Sequence, residues 1–276
     1  MRVSPFTPLF FVNHRTDGIA SDYVQTFATT DRILLQLIGE PGWSGTAKVY
    51  MEPCHEELYE IVFNTWAVND ETILLFHTMA LSPGLYSVEI SDIGSSTIFR
   101  VTDDARVLDK TTLIQYSMHN NRQRTDAIFY IDGMQHFFDF RVPGGFKDSG
   151  WAFEVDTEQF STDAADIMSL YAIDSIQQTF TLGTSRGCPI WFGALLNRLL
   201  CCTYVYFDGV RYARKDASVP EVNQQLDGVN SFVFTQILQR VVNLDPNIEQ
   251  SNHVAMRRID SGEYRSISST INRLTL

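Results

Sequence analysis

Four cysteines and six histidines are the residues of this chain best suited to nucleophilic or metal chemistry. The densest group is Cys54-His55-Glu56-Glu57, with soft and hard ligands side by side. A metal site needs a spacing that lets side chains converge, such as C-x-x-C or a His pair at i, i+4. Sequence neighbours point apart, so this group reads as a solvated acidic turn between strands. None of Cys54, Cys188, Cys201 and Cys202 forms a C-x-x-C pair. They read as reduced, buried thiols of a chain made in a cytoplasm. Cys188 comes nearest to a nucleophile, because it precedes an apolar helix whose field would lower a thiol pKa. No base lies in the same segment, and a buried small residue is the simpler reading. Glycosidase chemistry needs two facing carboxylates. Asp126, Asp132, Asp139, Glu154 and Asp156 are the acids to inspect, although their spacing gives them no privilege. Pro143-Gly144-Gly145 lacks the length and the Lys-Ser/Thr ending of a phosphate loop. No catalytic residue, metal ligand or cofactor is assigned.

Aromatic residues are the compositional oddity: 19 Phe, 11 Tyr and 4 Trp. Most belong to a core, some suit a protein interface, and a few could stack on sugars. Trp43, Trp66, Trp151 and Tyr171 are the candidates for a sugar-stacking groove.

The elements that must position these residues are mostly strands. Short runs rich in branched and aromatic residues recur through the first hundred positions, at 31–39, 46–52, 58–68, 71–81, 85–91 and 96–102. Turn residues such as Asn69-Asp70 and Ser82-Pro83-Gly84 separate them. This predicts an acidic β-sandwich-like domain over 1–104, ending in the charged stretch 103–110. A second β-rich domain is expected over 111–242. Its strands are predicted at 111–118, 127–131, 135–142, 175–182, 202–207 and 210–214, with 230–242 leaning to strand. Residues 143–150 read as a loop, and 158–171 show no clear period. One helix is expected near 188–201, with Pro189 just inside its start. Residues 243–276 read as a polar C-terminal arm, and 1–12 as an extended arm or first strand. The fold class is mainly β, a β-rich α+β chain.

The chain is 44% hydrophobic and carries a net charge of −12, which excludes a disordered chain and argues against binding nucleic acid by charge. Residues 1–104 hold 14 acids and 5 bases, so −9 of that charge lies in the first domain. No apolar run approaches the ~20 residues of a membrane span, and no signal peptide is read at the N-terminus.

The run GCPIWFGALLNRLLCCTYVYFDGVRYARKDASVPE at 187–221 opens on Gly-x-Pro and contains Asn197, Asp208-Gly209 and Tyr212. With SPFTPLFF at 4–11 and YVQTFATTDRILLQLIG at 23–39, it resembles tail-associated structural proteins of phages and prophages of Bacteroides-type gut bacteria. The resemblance implies a β-rich virion part, made in the host cytoplasm, whose partners are its own copies and other virion proteins. It carries over no active-site residue. A carbohydrate-binding β-sandwich module, with a glycan as ligand, is the alternative function. A carboxylate-dependent hydrolase is the third.

Overall fold

Alternating burial builds the first half of the chain. In the strand Gly84–Ile90, Tyr86, Val88 and Ile90 are buried while Glu89 faces water. The computed structural model describes residues 1–11, 23–122, 124–131, 134–161, 167–215, 220–225 and 231–241, with the backbone alone at 131, 156, 167–169 and 171–173. The chain is mostly β.

Two sheets face each other over residues 1–102. One contains β1 (Arg2–Val3), β3 (Ile33–Gly39), β6 (Asn64–Ala67) and β7 (Ile73–Met79), in the order β1-β3-β7-β6. The other contains β2 (Gln25–Ala28), β4 (Ala47–Glu52), β5 (Glu56–Glu60), β8 (Gly84–Ile90) and β10 (Phe99–Thr102), in the order β2-β10-β8-β4-β5, with β9 (Gly94–Ser95) on β8. Phe27, Leu35, Leu37, Val49, Val88 and Phe99 fill the space between the sheets. The expected single strand over 58–68 is two strands in different sheets: β5 pairs with β4, to which the Ile61 N–H makes the last bond at the Ala47 carbonyl, and β6 pairs with β7. A one-turn helix, α1 (Ala105–Leu108), capped by the Asp104 carboxylate, leads into the second half.

That second half is a closed barrel. Its strands are β11 (Thr111–Ser117), β14 (Phe138–Ser161), β15 (Ile167–Leu182), β16 (Tyr204–Phe207), β17 (Val210–Arg214) and β19 (Phe232–Arg240). They pair in the order β14-β11-β16-β17-β19-β15, and β15 returns to β14. A small hairpin, β12 (Tyr130–Ile131) with β13 (Met134–Gln135), precedes β14, and β18 (Glu221–Gln224) adds to β19. Phe146, Phe180, Phe207 and Tyr212 fill the barrel as a ring cluster with centroids 4.8–5.6 Å apart.

Helix α2 (Ile190–Leu199) buries Phe192, Leu195, Leu196 and Leu199 in the same core. Gly193 permits this approach, since a Cβ there would lie 2.2 Å from the Phe234 ring. Alanine at position 193 is expected to lose ~1–3 kcal/mol to overpacking, more than the ~1 kcal/mol it gains in helix propensity. A lower urea midpoint for G193A checks this.

The N-terminal segment decides between two expectations. Arg2–Val3 forms the first strand, and residues 1–11 pack as the seam between sandwich and barrel rather than extending as an arm. Phe6 lies in the barrel-side core against Phe129 and Phe138, and its carbonyl accepts from the Tyr116 hydroxyl. Phe10 stacks on Trp191 at 5.5 Å, and Arg198 donates to the Pro5 carbonyl at 2.8 Å. Apolar rings at positions 6 and 10 gain more by burial here than in water. Across the same seam Gln36 exchanges two hydrogen bonds with the Ile128 backbone, and Asp31 takes Arg141 in a two-pronged ion pair at 2.6 and 2.9 Å. The expected arm at 243–276 and the Asp132-Gly133 turn lie outside the described residues.

Candidate interaction surface

β14 is far longer than its sequence suggests. The expected loop at 143–150 lies within it. Pro143 still pairs with Thr111 of β11, and Gly144 with Leu182 of β15. Gly144 has φ +113°, and a Cβ there would lie 2.1 Å from the Thr181 carbonyl oxygen, so only glycine fits. Between Phe146 and Trp151 the strand bulges: β14 advances five residues while β15 advances two, from Phe180 to Gln178. Turn residues thus build a bulge in a continuing strand.

The bulge inserts three residues, an odd number, so it reverses which positions face inward. Before it, the even positions Phe138, Phe140, Val142 and Phe146 line the core. After it, the odd positions Trp151, Phe153 and Val155 take that face, opposite Gln178, Ile176 and Asp174. Gln178 and its β19 neighbour Leu238 are buried in the barrel. The stripe Trp151-Phe153-Val155 is therefore the barrel's inward lining, continued past its mouth.

There the barrel ends. β19 pairs with β15 only as far out as Ile176, and from Trp151 to Ser161 β15 is the sole sheet neighbour of β14 among the described residues. The two strands continue as a ribbon. Trp151 is 47% exposed, Phe153 79% and Val155 61%, and nearer the tip Phe160 and Leu170 are 46% and 60% exposed. Trp151 and Phe153 stack on each other at 6.4 Å with 24° between their planes. The opposite face is polar: Glu154 accepts from Lys215 at 2.6 Å and from Gln177, and Glu158 is exposed. A core-like stripe on an open two-stranded edge offers both apolar area and unpaired backbone groups to a partner.

The four candidate stacking residues do not share one setting. Trp43 packs on the sandwich core, 6.1 Å from the Phe63 ring, with its indole N–H buried. Trp66 packs with Ile38, Leu74 and Ile128 in a separate cluster. Trp151 lies on the ribbon. Tyr171 pairs with Glu158 through its backbone, and its side chain lies outside the described ones. Phe153 has no place among the candidates, although it is the most exposed ring of the stripe. The alternation Trp-x-Phe-x-Val was its signal.

Of the five acids, Asp126, Asp139 and Glu154, whose side chains are described, are occupied. Asp126 takes Arg124 at 2.7 Å, and that hydrogen bond holds its carboxyl below the usual range. Asp139 accepts from the Arg32 N–H and from the Gln115 amide at the seam. Asp132 lies outside the described residues, and Asp156 is described by its backbone alone. In the acidic turn, His55 stacks on Tyr50 at 4.1 Å, and its Nδ1 lies 3.1 Å from Glu52. Hydrogen bonds from His55 and then Ser87 hold Glu52 below the ordinary carboxylate range. Among the described residues no three His, Cys, Asp or Glu side chains converge as metal ligands.

Cys188 is the buried small residue that the simpler reading expects. It exchanges backbone hydrogen bonds with Phe232, and burial pushes its thiol well above the usual range. Burial likewise raises Cys202 to about 12. Cys54 and Cys201, expected to be buried like the others, are instead exposed. Iodoacetamide at pH 8 is therefore expected to label Cys54 and Cys201 in the folded chain and to spare Cys188 and Cys202. Peptide mass spectrometry reads the pattern, and labelling of Cys188 would contradict it.

Among the described residues no helix is long and apolar enough to cross a membrane. No family model matches the chain, and no curated protein matches it. Among solved structures it is similar, at 8% identity, to the crystal structure of Dpr2 Ig1-Ig2 in complex with DIP-Theta Ig1-Ig3. That similarity covers 82% of this chain and 89% of that one, with a TM-score of 0.18, too loose an overlap to bear on function. The fold itself is what stands: a β-sandwich joined by a buried seam to a β-barrel that extends an apolar ribbon.

Proposed function

We propose that this chain is a structural subunit of a phage or prophage tail or tail tip, acting by self-association and by contact with other virion proteins. One observation carries the reading: the inward stripe of the barrel continues as Trp151, Phe153 and Val155 where no described part of the chain covers it. Selection for solubility alone would place polar residues there. An assembling subunit uses such a surface, and a rigid barrel holds it out at a fixed angle. The resemblance at 4–11, 23–39 and 187–221 supplies the virion context. Those residues build the seam, β2, β3, α2, β16 and β17.

Sedimentation velocity over an about hundredfold range of concentration tests the reading, since mass action must populate any oligomer as concentration rises. The weight-average mass is expected to climb above 31.4 kDa. A strict monomer throughout, in a chain whose ribbon is intact to proteolysis, would remove it.

A further inference from the structure

The described chain stops at the foot of the ribbon. β19 runs antiparallel to β15, and its last residue, Arg240, pairs with Ile176, whose other neighbour is Phe153. Val241 is held there by its N–H bond to the Arg211 carbonyl at 3.1 Å. Residues 242–276 follow. At ~3.3 Å per extended residue the ribbon beyond the barrel is about 35 Å long, and a segment of that length could span it several times over.

Charge selects where such a segment fits. From Trp151 to Ser175 the sequence holds six acids and no base. From Val254 to Leu276 it holds Arg257, Arg258, Arg265 and Arg273 against Asp260 and Glu263, a net charge of +2 in a chain of −12. Val254, Met256, Ile259 and Tyr264 lie among those arginines. Two copies of so acidic a chain repel each other overall. Joining these two segments replaces repulsion with attraction and sets apolar residues against the stripe.

We propose that the C-terminal segment of one copy adds along the open edge of β14 in a second copy, where its side chains reach both faces: its apolar residues on Trp151, Phe153 and Val155, and its arginines on Asp174 beside that stripe and on Glu158 of the opposite face. This rests on reading the chain as a self-assembling subunit, and it names the partner of that surface. The contact is head-to-tail, so it builds a ring where the rotation closes and a filament where it does not. It weakens with salt, because the charges lie at the surface.

Two charge-reversed full-length chains test it by light scattering. R257E/R258E places acids on the segment, and E158K/D174K places bases on the ribbon. Each alone is expected to self-associate at least about tenfold more weakly than the unmodified chain. Mixed in equal amounts they are expected to associate again, because the acidic segment of one now fits the basic ribbon of the other. Rescue on mixing, together with the weaker association of each variant alone, separates docking between copies from a contact within one chain. Association of R257E/R258E at the unmodified strength, with W151S/F153S monomeric, would overturn the docking and leave the self-assembly reading standing. Tighter association of R257E/R258E would mean that the segment shields its own ribbon, which also overturns docking between copies. An unmodified chain that stays monomeric removes both.

Discussion

Replacing Trp151 and Phe153 together by serine is expected to lower self-association about a hundredfold or more while changing folding stability by less than about 1 kcal/mol. The two effects separate because Phe153 is 79% exposed and Trp151 about half so, and serine therefore removes little buried contact. The rings stack on each other at the mouth, level with the last residues of β15 that β19 covers. Serine keeps the strand and removes the apolar area, so the chain folds but loses its anchor. Aromatic side chains that become fully desolvated on association dominate interface energetics. Sedimentation equilibrium gives the first quantity and urea denaturation the second. A double variant that associates like the unmodified chain would show that the stripe is not the contact.

The second large effect lies at the seam. Asp31→Asn is expected to destabilise the chain by about 3–5 kcal/mol. The Asp31 side chain is fully buried and Arg141 is nearly so. A neutral amide in place of the carboxylate would leave the guanidinium in a dry site without its counter-charge, and would weaken the acceptor for the Ala28 N–H. A domain is stable by only about 5–15 kcal/mol, so this is a large fraction of the total. R141M is expected to cost a comparable amount, and the D31N/R141M pair less than the sum of the singles, because the two side chains meet. Denaturant midpoints of the four chains close the cycle; additive losses would show that the pair is not coupled. This seam fixes the barrel on the sandwich and therefore where the ribbon points.

Local signals in the sequence located much of this architecture. Pro189 and the apolar spacing after it mark α2. Asp208-Gly209 marks the turn between β16 and β17, with both residues at positive φ. Alternation at Tyr86, Val88 and Ile90 marks β8. The ribbon escaped the same reading for two physical reasons. Pro143, Gly144 and Gly150 are turn residues by composition, yet they serve a strand that bulges and a glycine that meets a carbonyl. A three-residue bulge also breaks the period of two, so Phe146 and Trp151 share a face without sharing parity. The N-terminal segment was legible as a strand but not as a seam, because what holds Phe6 and Phe10 lies more than a hundred residues away. The carboxylates and Cys188 show the converse: their residue types suggested chemistry, and only the surrounding contacts show what occupies them.

The proposed assembly requires the outer edge and apolar face of β14 from Trp151 to Ser161 to be covered. Hydrogen exchange measures this directly, because in an isolated ribbon the amides on that edge have water as their partner. Peptides spanning 151–161 are expected to exchange rapidly in dilute protein and to gain protection as concentration rises, while barrel peptides such as 204–214 stay unchanged. Exchange over 151–161 that is equally fast at every concentration, in a sample that light scattering shows to be oligomeric, would place the contact elsewhere and contradict the account.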